Sequence, residues 1–224
     1  MTFIKLKSPV PKEDCGNFLS QEYSFSGVLI EGEIDPNLPA HQAIFRDRHC
    51  VRKFGELSNE RLFRLLYLTS HTICVKEIDG HPIWQHRPVP SAGGIHPIDI
   101  LVCKPYDASF GLYWYDSLNH QLKQVNPISP DAFKALVVSI KEVLDPQFGT
   151  ALLYAADFAK TSSRYINGES LVWRDSGVLV GFTCIASVAL GLSCCPLGPT
   201  FDSEIAAVLG SKAMSGVGGC VVGA

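Results

Sequence analysis

Apolar positions along this chain follow two rhythms, and the changes between them mark its elements. Residues 98–103, rich in Ile, Leu and Val, and residues 150–156 are apolar runs of strand length and predict buried strands. Residues 217–222 predict a terminal strand of the same kind. Residues 111–115 and 121–125 flank Asp116-Ser117-Leu118-Asn119-His120, whose turn residues predict a hairpin. Tyr113, Trp114 and Tyr115 then read as sheet residues packing across that pair. Helical spacing appears from Ser58, a suitable N-cap with Glu60 in the first turn, and Leu62, Phe63, Leu65, Leu66 and Tyr67 give a broad apolar face. Ser129-Pro130-Asp131 opens a second helix reaching Leu144, with Phe133, Leu136, Val137 and Ile140 at helical spacing. A helix is expected from about Ala40, a long one over 177–192 ended by Gly191, and a short one from about Asp202 to Gly210. Pro196-Leu197-Gly198-Pro199 reads as a rigid loop, and residues 158–173 as a polar stretch. Helices and strands mix without regular βαβ alternation, which predicts an α+β fold over 43–224. Residues 1–42 lack periodicity and read as a loop-rich arm, with a short strand over 23–30.

Charge and composition narrow the function classes. The net charge of -3 leaves no basic footprint for nucleic acid. The charged fraction of 18% is low, which fits a chain with some surface covered by a partner subunit. Lys5 and Lys7 interrupt the first ten residues, so no secretory signal is expected there. The uncharged stretch 177–192 falls short of the roughly 20 residues of a membrane span and reads as a buried helix. Its Gly177, Gly181 and Ser187 permit close approach of a second helix. Eight cysteines are scattered without a C-x-x-C pair, the pattern of reduced cytosolic thiols rather than of disulfides or zinc ligands. His71, His81, His86 and His96 show no i, i+4 pairing, so no metal site is expected.

Two segments carry candidate chemistry. In Pro90-Ser91-Ala92-Gly93-Gly94-Ile95-His96-Pro97, small residues between prolines let backbone approach a flat ligand closely. In Arg48-His49-Cys50-Val51-Arg52-Lys53-Phe54, two arginines four apart would share a face if helical, and forked guanidinium donors suit a phosphate. No G-x-S-x-G, P-loop, H-E-x-x-H or clean G-x-G-x-x-G is present.

Together these segments resemble the nitroreductase-like flavoproteins, and within them the SagB-type branch that oxidises azoline rings in peptide natural products. The order of the later segments agrees: the 111–125 hairpin, Arg164-Tyr165, the long helix, and Pro196-Leu197-Gly198. The resemblance implies an FMN-dependent oxidoreductase and an obligate homodimer whose active sites lie between subunits, acting on a small-molecule or peptide substrate. It places Arg48, Cys50 and Arg52 at the FMN phosphate and ribityl chain. It places Ser91, Ala92, Gly93, Gly94 and His96 along the flavin ring, and backbone N–H groups of Leu197 and Gly198 near its N5. Arg164 and Tyr165 fall at the catalytic position. Many members of that branch carry Lys where this chain has Arg164. Because arginine stays protonated in proteins, Tyr165 is left as the candidate base. Many nitroreductases also end in basic residues that hold the phosphate, whereas Gly218 to Ala224 contains none. A nitro- or quinone reductase using NAD(P)H, and a non-catalytic binding module on the same fold, remain as alternatives.

Overall fold

The computed structural model describes residues 39–78, 81–106, 109–211 and 213–224. Its elements in chain order are α1 (Ala40–Asp47), α2 (Asn59–Ser70), β1 (Cys74–Ile78), β2 (His81–His86), a 3-10 turn (Ala92–Gly94), β3 (Ile98–Tyr106), β4 (Ser109–Asp116), β5 (Gln121–Gln124), α3 (Pro130–Val143), β6 (Thr150–Asp157), α4 (Phe158–Ser162), α5 (Glu169–Ala189), β7 (Ser193–Leu197), α6 (Asp202–Leu209) and β8 (Met214–Gly223). The expected arm and its strand over 23–30 lie outside the described residues, and the expected boundary after residue 42 falls inside α1.

The fold is α+β. Six strands form one antiparallel sheet in the order β5-β4-β3-β6-β8-β7. Both faces of its centre are covered, which is why β3, β6 and β8 read as near-continuous apolar runs. Alternation along each strand divides the core in two. Ile100, Val102, Leu152, Tyr154 and Val222 pack with Leu62, Leu65 and Leu66 of α2 and with Leu179 of α5. Leu101, Leu153 and Val221 pack with Leu136 and Ile140 of α3 and with Ile205 and Val208 of α6.

Caps set the helix ends as the sequence leads one to expect. The Ser58 hydroxyl accepts from the Arg61 N–H at 3.3 Å, and the Ser129 hydroxyl from those of Asp131 and Ala132 at 3.1 and 3.2 Å. After α5, Gly191 takes a left-handed φ of 61°, and the Leu192 N–H returns to the Ser187 carbonyl at 2.8 Å.

Four expectations need correction. Helix α5 starts at Glu169 rather than near 177, taking in the end of the stretch read as polar. It is also not buried all round: its buried stripe includes Ser176, Leu179, Thr183, Cys184 and Ser187, while Val178 and Phe182 are exposed. The buried hydroxyls are satisfied locally, Thr183 donating to the Leu179 carbonyl and Ser187 to that of Thr183, both at 2.8 Å. Polar residues inside and apolar ones outside erase the usual amphipathic signal. Although α5 is long and apolar enough to cross a membrane, it packs against α2, β7 and β8. Thirdly, Pro196 and Leu197 belong to β7, so the loop begins at Gly198. Lastly, Tyr67 leaves the buried face of α2, 52% exposed, and stacks on His71. The β1–β2 hairpin had no counterpart in the sequence reading.

Candidate active site

The segment from Pro90 to Pro97 is fixed at both ends. The Val89 N–H donates to the Thr69 carbonyl at 3.0 Å, and the Pro97 carbonyl accepts from Asp157 at 2.9 Å. Between them the backbone turns left-handed at Gly93 (φ 62°), Gly94 (φ 60°) and His96 (φ 47°). Glycine takes this region without penalty, so only His96 carries strain. Both glycines also sit under side chains. A Cβ on Gly94 would stand 2.4 Å from the Trp84 ring, and one on Gly93 would stand 2.6 Å from the Tyr165 hydroxyl. The catalytic candidate and the expected flavin loop, 72 residues apart in sequence, therefore meet at Gly93.

A carboxylate from α5 holds the loop. Asp175 accepts from the Ser91 hydroxyl at 2.5 Å and from the Ala92 N–H at 3.2 and 3.3 Å. The Ser91 oxygen in turn accepts from the His96 N–H at 3.0 Å. Asp175 was given no role in the sequence analysis. A carboxylate on the packed side of an apolar helix needs partners, and that signal was available.

His96 is buried and its Nε2 donates to the Gln85 carbonyl at 3.2 Å. Burial first, and the nearby Arg87 charge second, pull its pKa down to about 4, so the ring is neutral at physiological pH. Arg87, a cation the sequence reading left unassigned, grips the Gln85 side-chain oxygen at 2.7 and 3.1 Å. It lines a cavity of about 20 Å³ with Ser91, His96 and Asp175.

Tyr165 lies in the turn between α4 and α5, where its N–H and that of Arg164 both donate to the Thr161 carbonyl at 3.0 Å. Arg164 is exposed, and Tyr165 is 40% exposed. Tyr165 borders an open cavity of about 430 Å³ lined also by Ser162, Ile166, Asn167, Glu169 and Ser170.

The arginine segment is not helical. Arg48 ends α1 in an extended conformation, and residues 48–58 have no regular structure, so the shared helix face does not exist. The cluster survives by another route. The Val51 N–H docks on the Cys194 carbonyl of β7 at 3.2 Å, Arg48 donates to the Cys50 sulfur at 3.7 Å, and the Cys195 thiol feels both Cys50 and Arg52. Arg48, Cys50 and Arg52 are exposed. Leu197 buries its side chain in the core, leaving only its backbone for a ligand, while Gly198 is exposed at the following bend.

No protein-family model matches the chain, and no curated protein matches it. Solved structures do. A protein described as a nitroreductase, from Ralstonia eutropha, superposes with a TM-score of 0.61 at 18% identity, covering 87% of each chain. The fold is that of the nitroreductases. A chain of the E. coli microcin synthetase McbBCD complex matches at 0.57 and 17% identity, covering 89% of this chain and 78% of its own. A nitroreductase from Desulfovibrio desulfuricans in complex with FMN matches at 0.50 and 16% identity, covering 84% and 87%.

The residues present fit FMN on their own chemistry. Two exposed guanidinium groups suit its phosphate; at the loop, Tyr165 and Trp84 already fill the space beside Gly93 and Gly94, so a flat ring would meet the backbone from the side away from them. In this nitroreductase fold the two groups lie at different levels of α5. The loop is held at Asp175, whereas the Arg48 charge reaches Cys184, about 14 Å further along the helix axis.

Proposed function

We propose that the protein is an FMN-dependent oxidoreductase that desaturates or aromatises a heterocycle, or a C–N or C–C bond, in a small molecule or peptide. The observation that carries this reading is the Tyr165 hydroxyl lying over Gly93, inside a loop fixed by Asp175. FMN, when bound, supplies the hydride acceptor for such a reaction. The chain's own part is position and proton transfer. Arg48 and Arg52 hold the phosphate, and the Ser91–Gly94 backbone presents a flat ledge. Tyr165 would act as the base in its phenolate form, its oxygen taking the proton that leaves as the bond is oxidised and returning to the phenol, since Arg164 beside it stays protonated. The open cavity beside Tyr165, polar at Asn167 and Glu169, admits a small ring or an extended peptide.

The McbBCD likeness, in a complex whose structure contains truncated pro-MccB17, supports a peptide-derived substrate. The uncovered side of α5 supports a homodimer. Among the described residues, a Cβ at Gly177 or Gly181 would meet nothing within 4 Å, and Val178 and Phe182 stand exposed beside them. The free thiols support a cytosolic setting. Arginine in place of lysine at position 164 favours, as a second reading, an NAD(P)H-dependent reductase that needs no base.

The test is Tyr165→Phe, which keeps the ring and removes the hydroxyl. Flavin content and melting temperature should hold, while flavin reduction by thiazoline or oxazoline substrates slows by roughly two decades. Wild-type reduction rates in the variant would rule Tyr165 out as the base. Rapid NADPH turnover with menadione, without ring oxidation, would establish the reductase reading instead.

A further inference from the structure

We propose that Cys184, Cys194 and Cys220 form a buried three-thiolate site for a soft monovalent metal ion, Cu(I). The three sulfurs all lie within 4.8 Å of one another, and Cys184 and Cys194 are 3.7 Å apart. Sulfurs bound about 2.3 Å from one metal stand roughly 3.8–4.0 Å apart, so little movement separates this triangle from a filled site. Rigid elements hold the corners: Cys184 on α5, Cys194 on β7 and Cys220 on β8. The two sheet residues face α5 together because Cys220 pairs with Pro196, two positions along β7 from Cys194. No spacing motif announces this arrangement, which explains the sequence expectation of no metal.

The choice of ion follows from the donor set. Thiolates alone select soft cations. Structural zinc calls for a fourth nitrogen or sulfur ligand, and among the described residues no further His, Cys or carboxylate joins the triangle. The Tyr154 hydroxyl stands 3.6 Å from the Cys220 sulfur and is engaged with Thr183 at 2.8 Å, and the Ser187 hydroxyl near Cys194 donates to the Thr183 carbonyl. Three sulfurs without a fourth ligand suit trigonal Cu(I). Each ligating thiol gives up its proton on binding, so three thiolates and one Cu(I) leave two negative charges. The Arg48 guanidinium, whose charge acts on Cys184, offsets part of that in an apolar core.

The experiment uses the full-length reduced protein, titrated anaerobically with Cu(I) acetonitrile complex against bicinchoninate. One equivalent should bind, with a near-ultraviolet thiolate-to-copper band and X-ray absorption showing three sulfur neighbours. Cys184→Ala, Cys194→Ala and Cys220→Ala should each weaken binding by about a hundredfold or more. Cys74→Ala should leave it unchanged, which separates the triangle from exposed thiols. X-ray absorption of the wild-type protein decides the matter even if a core variant fails to fold. Loss of copper to the competitor, two or fewer sulfur neighbours, or full binding by Cys194→Ala would overturn the site. Retention of Zn(II) in preference to Cu(I) in a parallel titration would overturn the choice of ion.

Discussion

The loop from Ser91 to His96 and the segment from Arg48 to Arg52 are both expected to touch the same cofactor, yet they are built in opposite ways. Asp175, Gln85, Thr69 and Asp157 grip the loop and its ends, and Trp84 and Tyr165 close over its glycines. The arginine segment has one backbone bond to β7, and its Arg48, Cys50 and Arg52 side chains stand exposed. A flat ring needs a surface shaped before it arrives, because any rearrangement is charged against binding. A phosphate tolerates a looser partner, since charge attraction falls off gradually and long guanidinium side chains can follow it. Damage to the loop should therefore appear in the folded protein, and damage to the arginines only in cofactor binding.

The sharpest break is Gly94→Val. It forces a β-branched residue into left-handed backbone and drives its Cβ into the Trp84 ring. Strain and overpacking together should cost about 4 kcal/mol and lower the melting temperature by roughly 8–16 °C, read by calorimetry. A Val variant with unchanged melting would show the loop to be as loose as the arginine segment.

Acid should expose the same asymmetry. The folded pKa of His96 lies near 4, below its ordinary 6.5. Above pH 6.5 the ring is neutral in both states and adds no pH dependence. As pH falls from 6.5 towards 4 only the unfolded chain takes up the proton, so stability drops, by up to about 3 kcal/mol. His96→Asn tolerates left-handed backbone and does not titrate, so it should flatten the urea midpoint over that window. A wild-type midpoint that stays level from pH 6.5 to 4 would show that His96 is not held neutral.

Arg48→Ala and Arg52→Ala should each weaken FMN binding by about one to two decades in a fluorescence titration. Their melting temperatures without flavin should stay within about 2 °C of wild type, as befits exposed side chains. Equal affinity in both variants would remove the segment from the site. The smallest effect belongs to Gly181→Leu. Among the described residues nothing lies within 4 Å of a Cβ at Gly181, so the variant should raise single-chain stability by only about 0.5–1 kcal/mol through helix propensity, while light scattering should show a loss of self-association.

Most elements were legible because local signals agreed. Ser58 and Ser129 mark helix starts, Gly191 and Gly210 mark ends, and the β3 and β6 runs are apolar where both sheet faces are covered. Reading failed where long-range contacts overrule local pattern. Arg48 and Arg52 have helical spacing, but Val51 pairs with β7 instead. Pro196 and Leu197 look like a loop, yet they lie opposite Cys220 and Gly219 in the sheet. Within the site, the Gly-Gly loop and Tyr165 could each be named from sequence, but not their meeting, nor the role of Asp175, because both depend on how α4 and α5 return across β3.

The inward hydroxyls of α5 have a mechanical consequence. Thr183 and Ser187 spend their donors on their own helix, which leaves only their oxygens to accept from outside it. Among the described residues its polar ties to its surroundings include Asp175 to the loop, Ser176 to the Val217 carbonyl at 2.6 Å, Thr183 to the Tyr154 hydroxyl, and the Arg61 guanidinium to the Leu190 and Gly191 carbonyls just past its end, both at 2.9 Å. With much of its buried polar capacity spent within the helix, α5 is seated against the sheet chiefly by the fit of its side chains.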